Sequence, residues 1–294
     1  MARFDLRGMG VALITPFKSD KSIDFDALAK LLEYQIKSGA DYLVVLGTTA
    51  ETATLSNAER NELKHFVAER VAGRVPLVIG CGGNNTAAVV EELSTIDTDA
   101  FGAILSVVPY YNKPSQEGIY QHYSAIAKAS PLPVILYNVP GRTGVNMTAE
   151  TTLRLASEFS NIIGIKEASG NISQVDDIIK HKRPDFLVIS GDDGITFPLI
   201  TLGAVGVISV IGNAFPREFS KMVRLALDGD YDAARAIHYR FTDLFSLLFV
   251  DGNPAGVKCL LHAMGFIENE LRLPLVPTRI TTYEKIRRVL DSLN

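Results

Sequence analysis

The chain has 294 residues, enough to bury one large core or two smaller ones. Its apolar fraction of 47% and charged fraction of 21% are ordinary for a globular protein, and its net charge of −4 gives no electrostatic reason to expect nucleic acid or an anionic membrane as partner. Arg3, Asp5 and Arg7 interrupt the start where a signal peptide needs an apolar stretch, GAVGVISVIGNAF is too short and Gly-rich to span a bilayer, and Cys81 and Cys259 form no CxxC pattern, so a cytoplasmic enzyme or binding protein is expected.

In chain order, short β-branched runs alternate with helical patterns. Strands are predicted at GVALIT (10–15), YLVVLG (42–47), VPLVIG (75–80), GAILSVV (102–108), PVILYNV (133–139), IIGIKEA (162–168), FLVISGD (186–192) and VGVISV (205–210). Each run is nearly continuously apolar, which fits parallel strands covered on both faces. Between them, DALAKLLEYQI and NELKHFVAERVAG space their apolar residues as helices do, with charges on the opposite faces. Ser56 to Glu59 reads as a capping box, and Asn171 to Gln174 resembles one. Eight alternations predict a (β/α)8 TIM barrel. A doubly wound open sheet is the competitor, and no GxGxxG follows the first strand to support its dinucleotide version. After about residue 215 the strands stop, and SKMVRLAL, YDAARAIHYRFTDLFSLLF, PAGVKCLLHAMG and TTYEKIRRVLDSL continue as helices. Residues 1–225 are assigned to the barrel and 226–294 to a C-terminal helical region, with no linker long enough for independent domains.

In such barrels the chemistry sits at the C-terminal ends of the strands. Those ends carry Thr15, then Thr48, Thr49 and Glu51, Asn84, Tyr110 and Tyr111, Tyr137 and Arg142, Lys166, Gly191 and Asp192, and Ser209 and Asn213. Lys166 stands out because it ends the most apolar strand. If it points inward, alternation puts Ile162 and Gly164 on its side and Ile163, Ile165 and Glu167 toward the helices. An inward lysine among aliphatic walls loses hydration, which favours the free amine, and a free amine forms a Schiff base with a carbonyl substrate. A lone lysine would more often snorkel to water. Here the Tyr137 hydroxyl, one strand away, offers the proton shuttle that carbinolamine formation needs, and the two together favour catalysis.

The other rim residues have ordinary roles to weigh against functional ones. Tyr137 alone would more often be a packed ring, and Thr48 and Thr49 turn caps. Arg142 reads either as a surface ion pair or as a planar fork for a substrate carboxylate. Of Asp192 and Asp193, one is expected simply to cap the following helix. The five histidines form no HxxxH or HExxH pair, which weighs against a metal-dependent aldolase, and no GxSxG elbow or GK[ST] loop appears.

GTTAET, PYYNKPSQEG, YNVPGRTG, IIGIKEASGN, SGDD and GVISV resemble, in order and spacing, the dihydrodipicolinate synthase family, across essentially the whole chain. Ala50 departs from the glycine of many members. The resemblance implies that pyruvate condenses with Lys166 as a Schiff base, whose enamine attacks the aldehyde of L-aspartate-4-semialdehyde. It further implies a proton relay of Thr48, Tyr137 and Tyr111, with Tyr111 reaching in from a neighbouring subunit. Arg142 would hold the semialdehyde carboxylate, and Thr49 and Ile208 would help bind pyruvate, with Gly191 placed in the same set. No cofactor or metal is implied, and the expected assembly is a homotetramer of tight dimers. Another pyruvate aldolase, such as N-acetylneuraminate lyase or a keto-sugar-acid aldolase, would form the same Schiff base; Arg142 and the Tyr110–Tyr111 pair favour the synthase. A catalytically silent barrel that binds a keto acid would need no nucleophile–relay pair.

In regulated members of that family free lysine binds near the positions of Thr52, Ala53, Asn57, Arg60, Asn84, Ala88 and Tyr110. A ligand with two ammonium groups needs an acidic partner, and Ala88 stands where those members usually have glutamate. Little or no inhibition by lysine is expected, unless Glu91 or Glu92 supplies the carboxylate.

Overall fold

Each of the eight apolar runs contains or overlaps a strand in the computed structural model, which describes residues 5–293. Arg3, read above against a signal peptide, lies outside them. The strands are β1 (Gly8–Ala12), β2 (Tyr42–Val45), β3 (Leu77–Gly80), β4 (Ala103–Val107), β5 (Val134–Asn138), β6 (Ile162–Glu167), β7 (Leu187–Ser190) and β8 (Gly206–Ser209). They pair in parallel in sequence order, and β8 closes on β1 through Gly10↔Ile208 and its neighbours. The outer layer is built from α1 (Phe25–Ser38), α2 (Asn57–Val71), α3 (Thr86–Leu93), α4 (Gln116–Ala129), the single turn α5 (Pro140–Thr143), α6 (Ala149–Glu158), α7 (Ile172–His181) and α8 (Thr196–Leu202). After β8 come α9 (Pro216–Leu227), α10 (Tyr231–Leu247), α11 (Ala255–Ala263) and α12 (Ile280–Leu293). Among the described residues no helix is long and apolar enough to cross a membrane.

Local signals placed several boundaries. The Ser56 hydroxyl accepts from the Glu59 amide at 3.2 Å, and the Glu59 carboxylate accepts from the Ser56 amide at 2.8 Å, so α2 starts on a complete capping box. At α7 only half the device forms: Asn171 accepts from the Gln174 amide at 3.2 Å, while the Gln174 side chain turns to Asn146 and Glu167. β1 lies two residues earlier than predicted at its start and ends at Ala12 instead of Thr15. The Leu13 amide still donates to the Val44 carbonyl, but the Ile14 amide donates to the Asn213 side chain at 3.2 Å, which ends the ladder.

Alternation along the strands separates two apolar layers. Leu43, Val45, Ile79, Leu136, Ile165 and their counterparts pack on the helices, whereas Tyr42, Val44, Val78, Leu105, Ile135, Ile189 and Ile208 fill the barrel. The Tyr42 ring fits there because β1 presents Gly10, where a Cβ would lie 2.1 Å from the ring. One strand breaks the expected alternation. Val134 pairs with Ile162 but Ile135 pairs with Gly164, so Ile163 is an extra residue in a β-bulge. Ile162 therefore joins the helix-facing layer and Ile163 the barrel interior, the reverse of the sequence expectation for those two. Beyond the bulge Ile165 faces the helices, and Lys166 falls in register with the inward Tyr137.

Asp192 and Asp193 divide their work at the end of β7. Asp192 accepts from the Gly194 amide at 2.9 Å, the capping role expected of one of the pair. Asp193 is buried, and its Oδ2 accepts from the Val210 and Ile211 amides at 3.0 and 2.8 Å, tying the turn after β8 to β7. That tie supports a short ladder, since β7 and β8 share the single register pair Ser190↔Val207. Burial pushes the Asp193 carboxyl up to about 6, against the Ile211 amide, the Ser209 hydroxyl and the Val210 amide, which favour the charged form. A carboxyl raised above its ordinary 3.8 contributes stability that is fully present below that value and lost as pH rises through the folded pKa. Urea unfolding across pH 4–7 is therefore expected to show the unaltered protein losing stability relative to Asp193→Asn. A difference that stays flat across that window would contradict this assignment.

Candidate active site

The parallel register of β5 and β6 sets Tyr137 directly beside Lys166. Both side chains are nearly buried, at 7% and 6% exposure, and the lysine Nζ lies 4.5 Å from the centre of the tyrosine ring. Across the barrel wall Gly191, just past β7, leaves room for the lysine stem: a Cβ there would stand 3.1 Å from Lys166 Cε and 2.6 Å from the Ala168 Cβ. Glu167 turns the other way. Its carboxylate accepts from Asn138 Nδ2 at 3.1 and 3.2 Å, from the Ser169 amide at 2.7 Å and from Gln174 Nε2 at 3.1 Å. The buried carboxylate is thus satisfied by neutral donors on the helix side, and the amine is left to the barrel. A primary amine beside a phenol in an apolar enclosure is suited to carbonyl addition with local proton transfer.

A cavity of about 460 Å³ opens over this pair. Tyr137, Thr48, Arg142 and Asn253 are among the residues that line it. Thr48 is exposed at the mouth, whereas Thr49 is buried with its hydroxyl accepting from Asn253 Nδ2 at 3.1 Å. The Asn253 carbonyl accepts from the Arg142 guanidinium at 3.4 Å, so one asparagine touches both expected substrate-binding side chains. Lys166, Thr49, Gly191 and Ile208 do not line the cavity; Lys166 adjoins it through Tyr137, and Ile208 belongs to the barrel interior. Tyr111 is 88% exposed and held at φ 73, a left-handed conformation uncommon for a non-glycine residue, with its amide donating to the Thr143 carbonyl at 3.3 Å. Tyr111 does not line this cavity, whereas Tyr110 does.

The same cavity is also lined by Thr52, Ala53, Arg60 and Tyr110 from the seven expected effector positions. Asn57, Asn84 and Ala88 do not line it, although Asn84 Nδ2 donates to the Tyr110 carbonyl at 3.1 Å. Glu92, one turn after Ala88 on α3, supplies a carboxylate there. It sits beside Cys81, whose thiol is pushed up to about 12 by burial and then by the Glu92 charge.

Several contributors escaped the sequence reading. Asn253 lies between α10 and α11, outside any strand end, so a search of strand ends passes over it. Glu51 was visible on the rim without a role; it is buried and ion-paired with Lys258 of α11. Among the described residues no cluster of three or more His, Cys, Asp or Glu side chains is gathered as a metal site.

A model of the dihydrodipicolinate synthetase family matches residues 5–293. The chain is 71% identical over 294 residues to a 4-hydroxy-tetrahydrodipicolinate synthase of Parabacteroides distasonis, covering 100% of this chain and 99% of that one. The dihydrodipicolinate synthase structure from Thermotoga maritima superposes with a TM-score of 0.95 at 42% identity, over 98% of each chain. The chloride-inhibited dihydrodipicolinate synthase of Acinetobacter baumannii, complexed with pyruvate, superposes with a TM-score of 0.95 at 39% identity, over 98% of this chain and 99% of that one. On a match that runs almost end to end, with an inward lysine on β6, the chain belongs to the dihydrodipicolinate synthetase family, and its activity is that of a 4-hydroxy-tetrahydrodipicolinate synthase.

Proposed function

We propose that the substrates are pyruvate and L-aspartate-4-semialdehyde and that pyruvate is held as a Schiff base on Lys166. The observation that carries this reading is the in-register pair of Lys166 and Tyr137 inside an apolar barrel; the pyruvate complex of the Acinetobacter baumannii relative supports the choice of keto acid. The Lys166 amine adds to the ketone carbon, the carbinolamine loses water, and the resulting imine loses a methyl proton to give an enamine. The enamine carbon attacks the semialdehyde carbonyl, the substrate's own amine displaces Lys166 in closing the ring, and the free lysine is restored. Tyr137 and Thr48 carry the protons, and Thr49 with Ile208 and Gly191 form the pyruvate end of the site. Tyr111 completes the relay in a neighbouring copy, a role supported by its 88% exposure and its absence from the lining of its own cavity. The working assembly is accordingly a homo-oligomer, a tetramer of two tight dimers, acting in the cytoplasm.

Borohydride reduction in the presence of pyruvate is expected to leave one adduct, on the peptide containing Lys166. Lys166→Ala should abolish trapping while the far-UV circular dichroism stays unchanged. An adduct on any other lysine would refute the assignment.

Arg142 lines the cavity at the mouth, where it holds the semialdehyde carboxylate. Arg142→Ala is expected to leave pyruvate trapping intact and to weaken use of the aldehyde by about 2–5 kcal/mol in transition-state terms, the cost of losing a charge-assisted contact. Equal losses in both half-reactions would point instead to a structural role.

The cavity is lined by two carboxylates, Glu92 and the Glu51 already paired with Lys258, and by the permanent cation of Arg60. A ligand carrying two ammonium groups meets too little negative charge there. Steady-state assays at saturating pyruvate should show little inhibition by L-lysine, and Ala88→Glu should increase it. Strong, saturable inhibition of the unaltered enzyme would show that Glu92 does the work of the missing glutamate.

A further inference from the structure

The rim loop between β2 and α2 is gripped from the C-terminal segment by a fully buried ion pair. Glu51 sits between two short 3-10 turns, Thr48–Ala50 and Thr52–Thr54, at φ 55. Its amide donates to the Thr48 carbonyl at 3.2 Å, and its carbonyl accepts from the Thr54 amide at 2.9 Å. Any shift of Glu51 is therefore passed directly to Thr48. The Glu51 carboxylate pairs with Lys258 of α11, both side chains being wholly inaccessible, and its Oε2 accepts from the Arg272 amide at 3.1 Å. The Lys258 Nζ also donates to the Glu270 carbonyl at 2.9 Å and lies 4.2 Å from the centre of the Phe17 ring. The Arg272 guanidinium stands 4.4 Å from the same ring and anchors on Glu59, the capping residue of α2. From the same segment Asn253 donates to the Thr49 hydroxyl. Residues 253–272 thus hold both ends of the Thr48–Thr49 turn.

Stability alone does not account for such a pair. Removing two charges from water is costly, and an apolar pair of similar volume is often at least as stable. Burial is severe enough here to push the Lys258 ammonium down to about 8 even with a carboxylate against it. What an ion pair adds over an apolar one is direction. It fixes the Glu51 carboxylate, and with it a left-handed backbone that a non-glycine residue rarely adopts unaided.

We propose that Glu51 and Lys258 are positioning residues for the reaction, orienting the Thr48 hydroxyl for proton transfer through the backbone of its turn. This rests on the reading of Thr48 as a relay member. The test is a kinetic cycle of four proteins: the unaltered enzyme, Thr48→Val, the neutralised pair Glu51→Gln/Lys258→Met, and the triple variant. The neutralised pair is expected to melt near the unaltered protein and to trap pyruvate on Lys166, yet to turn over about 10–100-fold more slowly. Thr48→Val should lower kcat by roughly 100-fold in the unaltered background. In the neutralised background it should cost less than about 3-fold, because the hydroxyl is already misplaced. A neutralised enzyme with unaltered kcat, or a Thr48→Val cost of full size in both backgrounds, overturns the inference alone. Thr48→Val without effect on the unaltered enzyme overturns the relay reading and the inference with it. Glu51→Gln alone, which keeps the side chain's shape, supplies the same comparison if the double variant does not fold.

Discussion

An amine buried inside an apolar barrel is the constraint on which the rest of this structure depends. Lysine ordinarily keeps its ammonium in water, so holding Lys166 at 6% exposure requires a specific enclosure. Gly191 leaves space for its stem, the Tyr137 ring forms one wall, and the parallel ladder of β5 and β6 brings the two side chains level. The adjacent Glu167 is directed away from the amine. Strand alternation turns it outward, and Asn138, Ser169 and Gln174 satisfy it there.

Two other buried carboxylates are held by fixed partners near a strand end. Asp193 binds two amides of the turn after β8, and Glu51 meets Lys258 behind the turn that carries Thr48. Each fixes a loop at a strand end. Side chains that face substrate are thereby spared the task of holding their own backbone, which matters where an error of an ångström changes the chemistry.

One cavity at the mouth of the barrel is lined both by Tyr137, Thr48, Arg142 and Asn253 and by Arg60, Glu92 and Tyr110. The C-terminal helices take part in both the packing and the site. α9 packs on β1 and β8, while Asn253, Lys258 and Arg272 reach back to the turn after β2. The distance in sequence between Thr49 and Asn253 is the reason that no local pattern links them.

What could be read from the sequence was whatever local chemistry decides. Continuous apolar runs can be satisfied only by strands covered on both faces, the Ser56–Glu59 box closes within four residues, and a lysine at the end of an apolar run is anomalous without any partner in view. Those features sufficed for the barrel, for its eight strands and for Lys166 and Tyr137 as a pair. Tertiary structure alone decided the rest. The bulge at Ile163 reversed the facing of Ile162 and Ile163 because register belongs to two strands at once. β1 stopped at Ala12 because an asparagine some two hundred residues away took the Ile14 amide. Asn253 on Thr49 and Lys258 under Glu51 are contacts made by chain closure, and nothing in the composition of either partner announces the other.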